Sequence, residues 1–328
     1  MNTLPDGLLE FLAPTAWADA LIDPIPGDAS FRRYFRLEKD GKTAMLMHAP
    51  PPHEDPQPFL DVADYLNGIG ARAPEIFAAE PRQGWILLED FGNDRMRDWI
   101  DLNPKGEWAA YEGAVDALVQ LHAHEAGAFP PYDMAAYQRE ADLFVEWYCA
   151  AQSLDVDLTS YRDAWTQVLD PLLDRQGAGV TVLRDYHAEN IMLLGDPRQV
   201  AKQGLIDFQD ALVGHPAYDL VSLLQDARRD VSPELEREML QRFKSAANIT
   251  PDFDADYAIL GAQRNAKIVG VFTRLYKRDG KPRYLELIPR VWRLMERDLL
   301  HPALAPVAEW FDANVPTELR EAGGGTIA

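Results

Sequence analysis

The residues that could do chemistry are concentrated in one segment past the middle of the chain. Asp185 is followed five residues later by Asn190, between two short apolar runs at 180–183 and 191–194 that we predict to be strands. An Asp that accepts the proton of an attacking hydroxyl, with an Asn at this spacing whose amide oxygen suits Mg²⁺, is typical of a phosphoryl-transfer catalytic loop. Loop residues that only cap turns can show the same spacing. This motif alone therefore leaves both interpretations open.

A second acidic residue, Asp207, favours phosphoryl transfer. It lies in the run IDFQD, directly after a third predicted strand at 203–206. A hairpin between this strand and the one at 191–194 would return the Asp207 carboxylate to Asn190. The two side chains would then form a pair of oxygen ligands that could hold Mg²⁺ together with nucleotide phosphates. Asp210 could add a further ligand, but a turn or cap role suits it better.

A third acidic residue, Asp219, lies in the run GHPAYDL and opens a helix that we predict over 219–226. A carboxylate at the start of a helix accepts hydrogen bonds from backbone N–H groups that lack partners within the helix. We therefore expect a structural role for Asp219.

The composition of the chain excludes several classes of protein. Its 328 residues are 47% hydrophobic and 26% charged, and 53 acidic against 32 basic residues give a net charge of −21. Such an acidic chain is a poor partner for nucleic acid or for an anionic membrane, since both require basic surface. The single cysteine, Cys149, excludes an internal disulfide framework and any metal site built from several cysteines.

The location that we expect is the cytoplasm. One cysteine in 328 residues fits a reducing compartment. The first ten residues include two acidic ones, Asp6 and Glu10, and no basic residue precedes the first apolar stretch. This pattern is unlike a secretory signal. No uncharged apolar run approaches the ~18 residues of a membrane-spanning helix.

Two regions of the chain must position the candidate residues, one with mostly predicted strands and one with apolar residues at helical spacing. The first 92 residues contain mostly predicted strands, at 30–38, 43–47, 75–79 and 85–88, with a hairpin signal at Asp40-Gly41 and a helix at 59–66. From residue 104 the apolar residues recur at helical spacing, with helices predicted at 135–151, 160–176, 219–226, 233–247, 254–275 and 283–300. We therefore expect an α+β protein with an N-terminal domain over 1–92 and a C-terminal domain over 93–328.

Three motifs in this order resemble those of the aminoglycoside phosphotransferase family, whose members are relatives of the protein kinases. They are DYHAEN at 185–190, IDFQD at 206–210 and GHPAYDL at 214–220. The resemblance implies a two-lobed kinase-like fold, with a small, mainly β ATP-binding lobe, a larger helical catalytic lobe, and ATP between them. It also implies that Asp185 is the catalytic base and that Asn190 and Asp207 bind Mg²⁺.

The resemblance extends to segments that would bind the nucleotide. It implies that a loop covers the ATP phosphates, formed by Gly27, Asp28, Ala29 and Ser30. A Gly-Asp pair is also an ordinary turn signal. The run WILLEDFG at 85–92 resembles the strand and hinge that meet adenine, and the contacts would be made mainly by the main chain of Glu89 and Phe91.

Two departures from the kinase pattern leave a non-enzymatic reading open. A kinase strand normally carries a Lys that pairs with the phosphates. The predicted strand here ends in Met47-His48, and its nearest lysine is Lys42 at the start. Leu183 stands where a His often opens the catalytic loop. A catalytically silent ATP-binding module is therefore one alternative.

A narrower resemblance accounts for the missing lysine. The runs GDASFRRYFR, APP, DFQDA, YDLVSLL and FTRLYKRDGKPRY resemble the bacterial sugar kinases of peptidoglycan recycling, which phosphorylate the anomeric hydroxyl of N-acetylmuramate and N-acetylglucosamine. These kinases generally have an apolar residue at the lysine position, so Met47 fits them. The run QDARR at 225–229 departs from the subfamily, which more often has a Cys and aromatic residues there.

A basic patch at 274–283 supplies candidate substrate residues. Arg274 and Arg278 could bind an anion such as the lactyl carboxylate of N-acetylmuramate, or they could be cations that stabilise the end of a helix. We expect an ATP- and Mg²⁺-dependent phosphotransferase that acts on the anomeric hydroxyl of an amino sugar. The enzymatic alternative is a kinase for an aminoglycoside or another cationic small molecule.

Overall fold

The structure is a computed structural model that describes residues 4–26, 31–247, 249 and 251–327. The strands are β1 (Leu21–Ile25), β2 (Arg33–Lys39), β3 (Lys42–His48), β4 (Ile76–Glu80), β5 (Trp85–Glu89), β6 (Val180–Val182), β7 (Ile191–Leu193), β8 (Gln203–Leu205) and β9 (Leu212–Gly214). The helices are α1 (Leu8–Leu12), α2 (Gln57–Gly68), α3 (Met96–Leu102), α4 (Glu107–His122), α5 (Met134–Leu143), α6 (Leu158–Gln176), α7 (Ala217–Leu224), α8 (Pro233–Ala246), α9 (Phe253–Lys277), α10 (Ile288–Leu299), α11 (Ala305–Asn314) and α12 (Thr317–Glu321). Short 3₁₀ turns cover Pro81–Gln83, Pro104–Gly106, Val200–Lys202, Pro282–Leu287 and Pro302–Leu304, and a π-helical turn, Phe144–Cys149, follows α5.

The chain forms two compact units. The first comprises residues 1–117 and 189–210, and the second comprises residues 118–188 and 211–328. The chain thus passes from the second unit to the first within the predicted catalytic motif, between Ala188 and Glu189. The predicted division of the chain after residue 92 stays a prediction.

An antiparallel sheet dominates the first unit, with the strand order β1-β2-β3-β5-β4. The predicted Asp40-Gly41 turn joins β2 to β3, and both residues have positive φ angles, 52° and 72°, as a tight hairpin with the right twist requires. Alternate side chains of β2, such as Phe35 and Leu37, are buried against Leu8 and Leu12 of α1. Burial of one face fixes the register of the strands.

A second hairpin in this unit is formed by β7 and β8. Ile191 pairs with Leu205, and the N–H of Ile206 donates to the carbonyl of Asn190 at 3.1 Å. The N–H of Leu193 donates to the carbonyl of Asp94 at 2.8 Å. This register brings the residue before β7 opposite the residue after β8, as the sequence predicts.

The second unit is mainly helical and is organised around α9. This helix of 25 residues is buried along most of its length and packs against α5, α7 and α10. Aromatic rings fill the space beside it, with Phe144 stacked on Tyr148 at 4.9 Å and tilted against Trp292 at 5.9 Å. The short pair β6–β9 is inserted into this helical framework, with Thr181 opposite Val213. The predicted α+β class is confirmed.

Two predicted helices differ from the observed ones. The helix expected from residue 283 begins at Ile288, after a 3₁₀ turn. Pro289 explains the difference, because a proline fits the first turn of a helix but interrupts its interior. The helix expected over 135–151 changes to a π-helical turn at Phe144, where Gly270 of α9 allows the backbone at Leu143 to approach closely. Across the described residues, no helix has both the length and the apolar character needed to cross a membrane.

Candidate active site

The predicted base, Asp185, follows β6 in a segment whose backbone is held by Asp219. The N–H of Leu183 donates to Asp219 Oδ2 at 2.6 Å, and the N–H of Arg184 donates to Oδ1 at 2.8 Å. Asp219 is fully buried, and burial raises its pKa to about 7 although the two N–H donors favour the charged form. The expected structural role of Asp219 is confirmed, but its carboxylate stabilises this loop and not the start of its own helix.

Arg184, the residue before the predicted base, has an unusual backbone conformation. Its φ angle is 69°, a left-handed value that costs free energy for a residue with a Cβ atom. Two contacts compensate for this cost. The backbone N–H is held by Asp219, and the guanidinium donates a hydrogen bond to the buried carboxylate of Glu140.

Glu140 gathers three donors from different parts of the second unit. Its carboxylate accepts hydrogen bonds from Arg184 and from the hydroxyl of Tyr132, and its Oε2 lies 2.9 Å from Lys267 Nζ. Burial opposes the charge of Glu140, but Lys267 and then Arg184 outweigh this effect and hold its pKa below the ordinary value. A buried charge with this many partners can remain ionised.

The same cations act on Asp185, whose side chain remains exposed to solvent. The dense protein around it opposes its ionisation. The positive field of Lys267, followed by those of His187 and Arg264, is stronger and lowers the pKa of Asp185. Asp185 is therefore a carboxylate at neutral pH, which is the form that can accept a proton.

The first unit brings Asn190 and Asp207 together. Asn190 Nδ2 lies 3.4 Å from Asp207 Oδ2, and Gln209 Nε2 donates to Asp207 Oδ1 at 3.0 Å. Asp207 has a φ angle of 58°, and the next residue, Phe208, is buried and stacks on Phe59 of α2 at 4.9 Å. The buried Phe208 thus holds the strained backbone of Asp207 in place.

The chemistry of this pair fits Mg²⁺. Carboxylate and amide oxygens are hard ligands, and proteins commonly bind Mg²⁺ through one or two such groups plus substrate phosphates. In the part of the chain that the structure describes, no cluster of three or more His, Cys, Asp or Glu side chains could hold a metal ion by itself. A metal at Asp207 and Asn190 would complete its coordination with water or with phosphate oxygens of a bound nucleotide. The metal-binding roles of Asn190 and Asp207 stay predictions.

The segments predicted to bind the nucleotide are partly described. The loop residues Gly27, Asp28, Ala29 and Ser30 lie outside the described residues. At the end of β5, the N–H of Glu89 donates to the carbonyl of Glu75 at 2.8 Å, so this group is engaged within the unit. Contacts with adenine would fall to other main-chain groups of the segment. The Phe91 ring is covered by the guanidinium of Arg72, 4.7 Å from its centroid.

Arg36 fixes the predicted hinge, and the sequence analysis did not identify it. Its Nε lies 2.7 Å from Asp90 Oδ2, and its other nitrogen atoms donate to the carbonyl of Gly92 at 3.1 Å and to Asn93 Oδ1 at 2.8 Å. Asp90 also accepts a hydrogen bond from the N–H of Gly92 at 2.9 Å. The available signal was an Asp directly after strand β5, but its partner lies in β2, which β3 separates from β5 in the sheet.

The two substrate candidates lie at the end of α9. Arg274 is partly buried, and both burial and the charge of Arg278 lower its pKa. Arg278 is exposed and pairs with Asp279 through two contacts of 2.7 and 3.0 Å. Arg274 follows Lys267 by seven residues, which is two helical turns and about 10 Å along the same face. Lys267 and Arg274 therefore lie on the same face of α9.

Lys267, Arg264 and Glu140 were also missed in the sequence. Lys267 and Arg264 interrupt the apolar centre of α9, where most neighbouring side chains are buried. A charged side chain among buried apolar residues needs an ion-pair partner or a functional role, because burying an unpaired charge is costly. That signal was present, but the partner Glu140 is 127 residues away from Lys267 along the chain.

Comparisons with known proteins agree with this description. The model of the phosphotransferase enzyme family matches residues 22–257. The chain is 35% identical to the N-acetylmuramate/N-acetylglucosamine kinase of Caulobacter vibrioides, over 94% of this chain and 96% of that protein. It is 36% identical to the protein of the same name from Pseudomonas aeruginosa, over 92% of each chain.

Solved structures show the same fold at low sequence identity. A choline/ethanolamine kinase family protein from Mesorhizobium loti has a TM-score of 0.61 at 15% identity, covering 93% of this chain and 99% of that one. The aminoglycoside phosphotransferase APH(2'')-Ib has a TM-score of 0.58 at 15% identity, covering 94% and 99%. The predicted kinase-like fold is confirmed. By its family match and by its relatives, the chain belongs to the phosphotransferase enzyme family.

Proposed function

We propose that this protein is an ATP-dependent sugar kinase that phosphorylates the anomeric hydroxyl of N-acetylmuramate and N-acetylglucosamine. The main support is the set of four relatives with this name, which are 32–36% identical over 82–94% of the chain. The substrate is then a small amino sugar. Since the reaction consumes ATP, we place it in the cytoplasm.

Asp185 supports the reaction by its charge and its position. The cations around it keep it ionised, and Asp219 holds the backbone that precedes it. A carboxylate so held can accept the proton of the sugar hydroxyl as the bond to phosphorus forms. An anomeric hydroxyl is more acidic than an ordinary alcohol, so one carboxylate base is adequate. Most of the rate acceleration would come from positioning and charge neutralisation.

The phosphoryl donor that we propose is ATP with Mg²⁺. The solved structure of APH(2'')-Ib contains ADP, and the chain shares its fold. Asn190 and Asp207 would hold the ion, which would neutralise charge on the phosphates when bound. The loop at 27–30 would cover those phosphates, and the segment that Arg36 fixes after β5 would receive the adenine.

The experiment is an ATP-consumption screen with N-acetylmuramate, N-acetylglucosamine, aminoglycosides and choline-like alcohols. We expect turnover with the two amino sugars. Asp185→Asn should lower kcat by about 10²–10⁴-fold and leave ATP affinity nearly unchanged, because an amide keeps the shape but cannot accept the proton. Turnover confined to an aminoglycoside would replace the proposed substrate. ATP binding without turnover on any acceptor would favour a silent nucleotide-binding module.

A further inference from the structure

The strand that should supply a phosphate-binding lysine has no cation at that point. Met47 is fully buried in β3, where it pairs with Tyr34 of β2 and Ile86 of β5. The next residue, His48, stacks on Trp85 with ring centroids 4.0 Å apart, and burial lowers its pKa. His48 is therefore neutral at physiological pH and does not replace the lysine.

Other cations of β2 and β3 are directed elsewhere. Lys42 is exposed beside the hairpin turn, five residues from Met47, which is about 17 Å along an extended strand. The Arg33 guanidinium lies over the Phe35 ring, 5.3 Å from its centroid. Arg36 is engaged by Asp90. We therefore expect the cation that binds the phosphates to lie outside β2 and β3.

Arg32, directly before β2, is a cation that lies near Asp207, the predicted metal ligand. Its Nη2 lies 3.8 Å from Asp207 Oδ1, and its Nε lies 4.0 Å from Glu54 Oε2. The Arg32 side chain is only 13% exposed, whereas Asp207 is 47% exposed. Glu54 also accepts a hydrogen bond from the N–H of Phe31 at 3.2 Å, so it binds the backbone beside Arg32 and lies within ion-pair distance of the guanidinium.

We propose that Arg32 is the residue that binds the nucleotide phosphates in place of the strand lysine, with Glu54 as its positioning residue. This inference rests on the proposed function, since it concerns the same nucleotide. The arrangement places a guanidinium beside the carboxylate that is predicted to bind the metal. A guanidinium presents a planar fork of donors that matches phosphate oxygens in pairs, which a lysine cannot do.

The charges of the three residues are coupled around Tyr34. Burial raises the pKa of Tyr34 to about 12, Arg32 acts to lower it, and Asp207 and Glu54 act to raise it further. The tyrosine is therefore neutral and takes no part in the charge balance. One cation faces two carboxylates, and Glu54 is the one that also accepts a hydrogen bond from the backbone beside Arg32. If Glu54 acts by positioning the guanidinium, its removal should weaken nucleotide binding only through Arg32.

The test measures binding of ATP with Mg²⁺, and of adenosine, by isothermal titration calorimetry without any sugar present. Arg32→Met should weaken ATP binding by about 10- to 100-fold, the effect of losing a charged hydrogen bond. Adenosine, which has no phosphate, should bind as it does to the wild type. Arg32→Lys should recover only part of the loss because it restores charge without the fork. Arg33→Met is the matched control and should bind both ligands normally.

A double-mutant cycle tests the role of Glu54. Glu54→Gln should weaken ATP binding in the wild-type background, because the guanidinium loses its positioning contact, and have no further effect in the Arg32→Met background. Unchanged ATP affinity in a folded Arg32→Met variant, or equal losses for ATP and adenosine, would overturn the inference. Measurements on the wild type distinguish failure of this inference from failure of the proposed function. A wild type that binds ATP but phosphorylates neither amino sugar would overturn the function alone, whereas one that binds no ATP would overturn both.

Discussion

The carboxylate of Asp219 accepts a hydrogen bond of 2.8 Å from the backbone N–H of Arg184, the residue that precedes the proposed base. A second bond of 2.6 Å joins the same carboxylate to Leu183. These bonds link the start of α7 to the end of β6, so the position of Asp185 depends on a buried residue that lies 34 positions further along the chain.

Asp219→Ala should therefore reduce both stability and turnover. A buried and a partly buried N–H group lose their acceptor, at a cost of up to about 1–3 kcal/mol each, and the left-handed Arg184 loses one of its two restraints. We expect a lower free energy of unfolding in urea and a kcat that falls at least about tenfold, with little change in ATP affinity. Asp230→Ala, which breaks an exposed ion pair with Arg290, should cost less than about 1 kcal/mol. Wild-type kcat in Asp219→Ala would contradict the positioning role.

The pH dependence of kcat/KM should change when the charged residues around Asp185 are replaced, because these residues shift the pKa of its carboxyl group. Lys267 lowers the pKa of Asp185, so Lys267→Met should raise it and move the acidic limb of the profile to higher pH. Glu140 partly neutralises Lys267 and Arg184, so Glu140→Gln should move that limb to lower pH. The measurement is the pH–rate profile of variants that circular dichroism shows to be folded.

The control for this pH effect is Lys244→Met. Lys244 pairs with Asp254 through a contact of 2.7 Å and is not among the main groups that shift the pKa of Asp185. Its profile should match that of the wild type. Wild-type profiles in both Lys267→Met and Glu140→Gln would show that these charges do not set the pKa of Asp185.

Asp207→Ala should remove the effect of Mg²⁺ on ATP affinity. The remaining ligand, Asn190, is uncharged and binds the ion weakly by itself. ATP titrations with and without Mg²⁺ provide the measurement. Asp210→Ala is the control, since we assign Asp210 to a turn, and it should retain the Mg²⁺ effect. An intact Mg²⁺ effect in Asp207→Ala would show that other residues hold the ion.

Arg274→Ala should discriminate between the two sugars. If Arg274 binds the lactyl carboxylate, its loss should weaken N-acetylmuramate binding by about 1.5–3 kcal/mol, the scale of a charged hydrogen bond. N-Acetylglucosamine has no such carboxylate and should bind normally. Arg278→Ala should have the smaller effect, because Asp279 already engages that guanidinium. Equal losses for both sugars in Arg274→Ala would mean that this side chain stabilises the fold.

The sequence predicted the local parts of the candidate site well. Two short strand-like runs and the turn Gly195-Asp196-Pro197 were sufficient for the β7–β8 hairpin, which brings Asn190 within 3.4 Å of Asp207. Strand β1 was missed because Pro24 argues against a strand. The structure places β1 at the edge of the sheet, where a proline is tolerated.

The long-range parts of the site could not be read from local patterns. Glu140 meets Arg184 and Lys267 only after the helices have packed, and no local rule pairs residues so far apart. The left-handed backbone of Arg184 is likewise a result of Asp219 and Glu140 and not of its own propensity. Arg32 lies in the run GDASFRRYFR, but its partners Glu54 and Asp207 come from other segments of the first unit, so its contacts could not be predicted from this run.

The proposed reaction transfers phosphate from ATP to the anomeric oxygen of an amino sugar. Phosphorus NMR of the product formed from N-acetylglucosamine tests this position, because the coupling pattern identifies the sugar proton next to the phosphate ester. We expect coupling to the proton on carbon 1, and no such product with Asp185→Asn. A phosphate on carbon 6, or an unreacted sugar beside intact ATP, would contradict it.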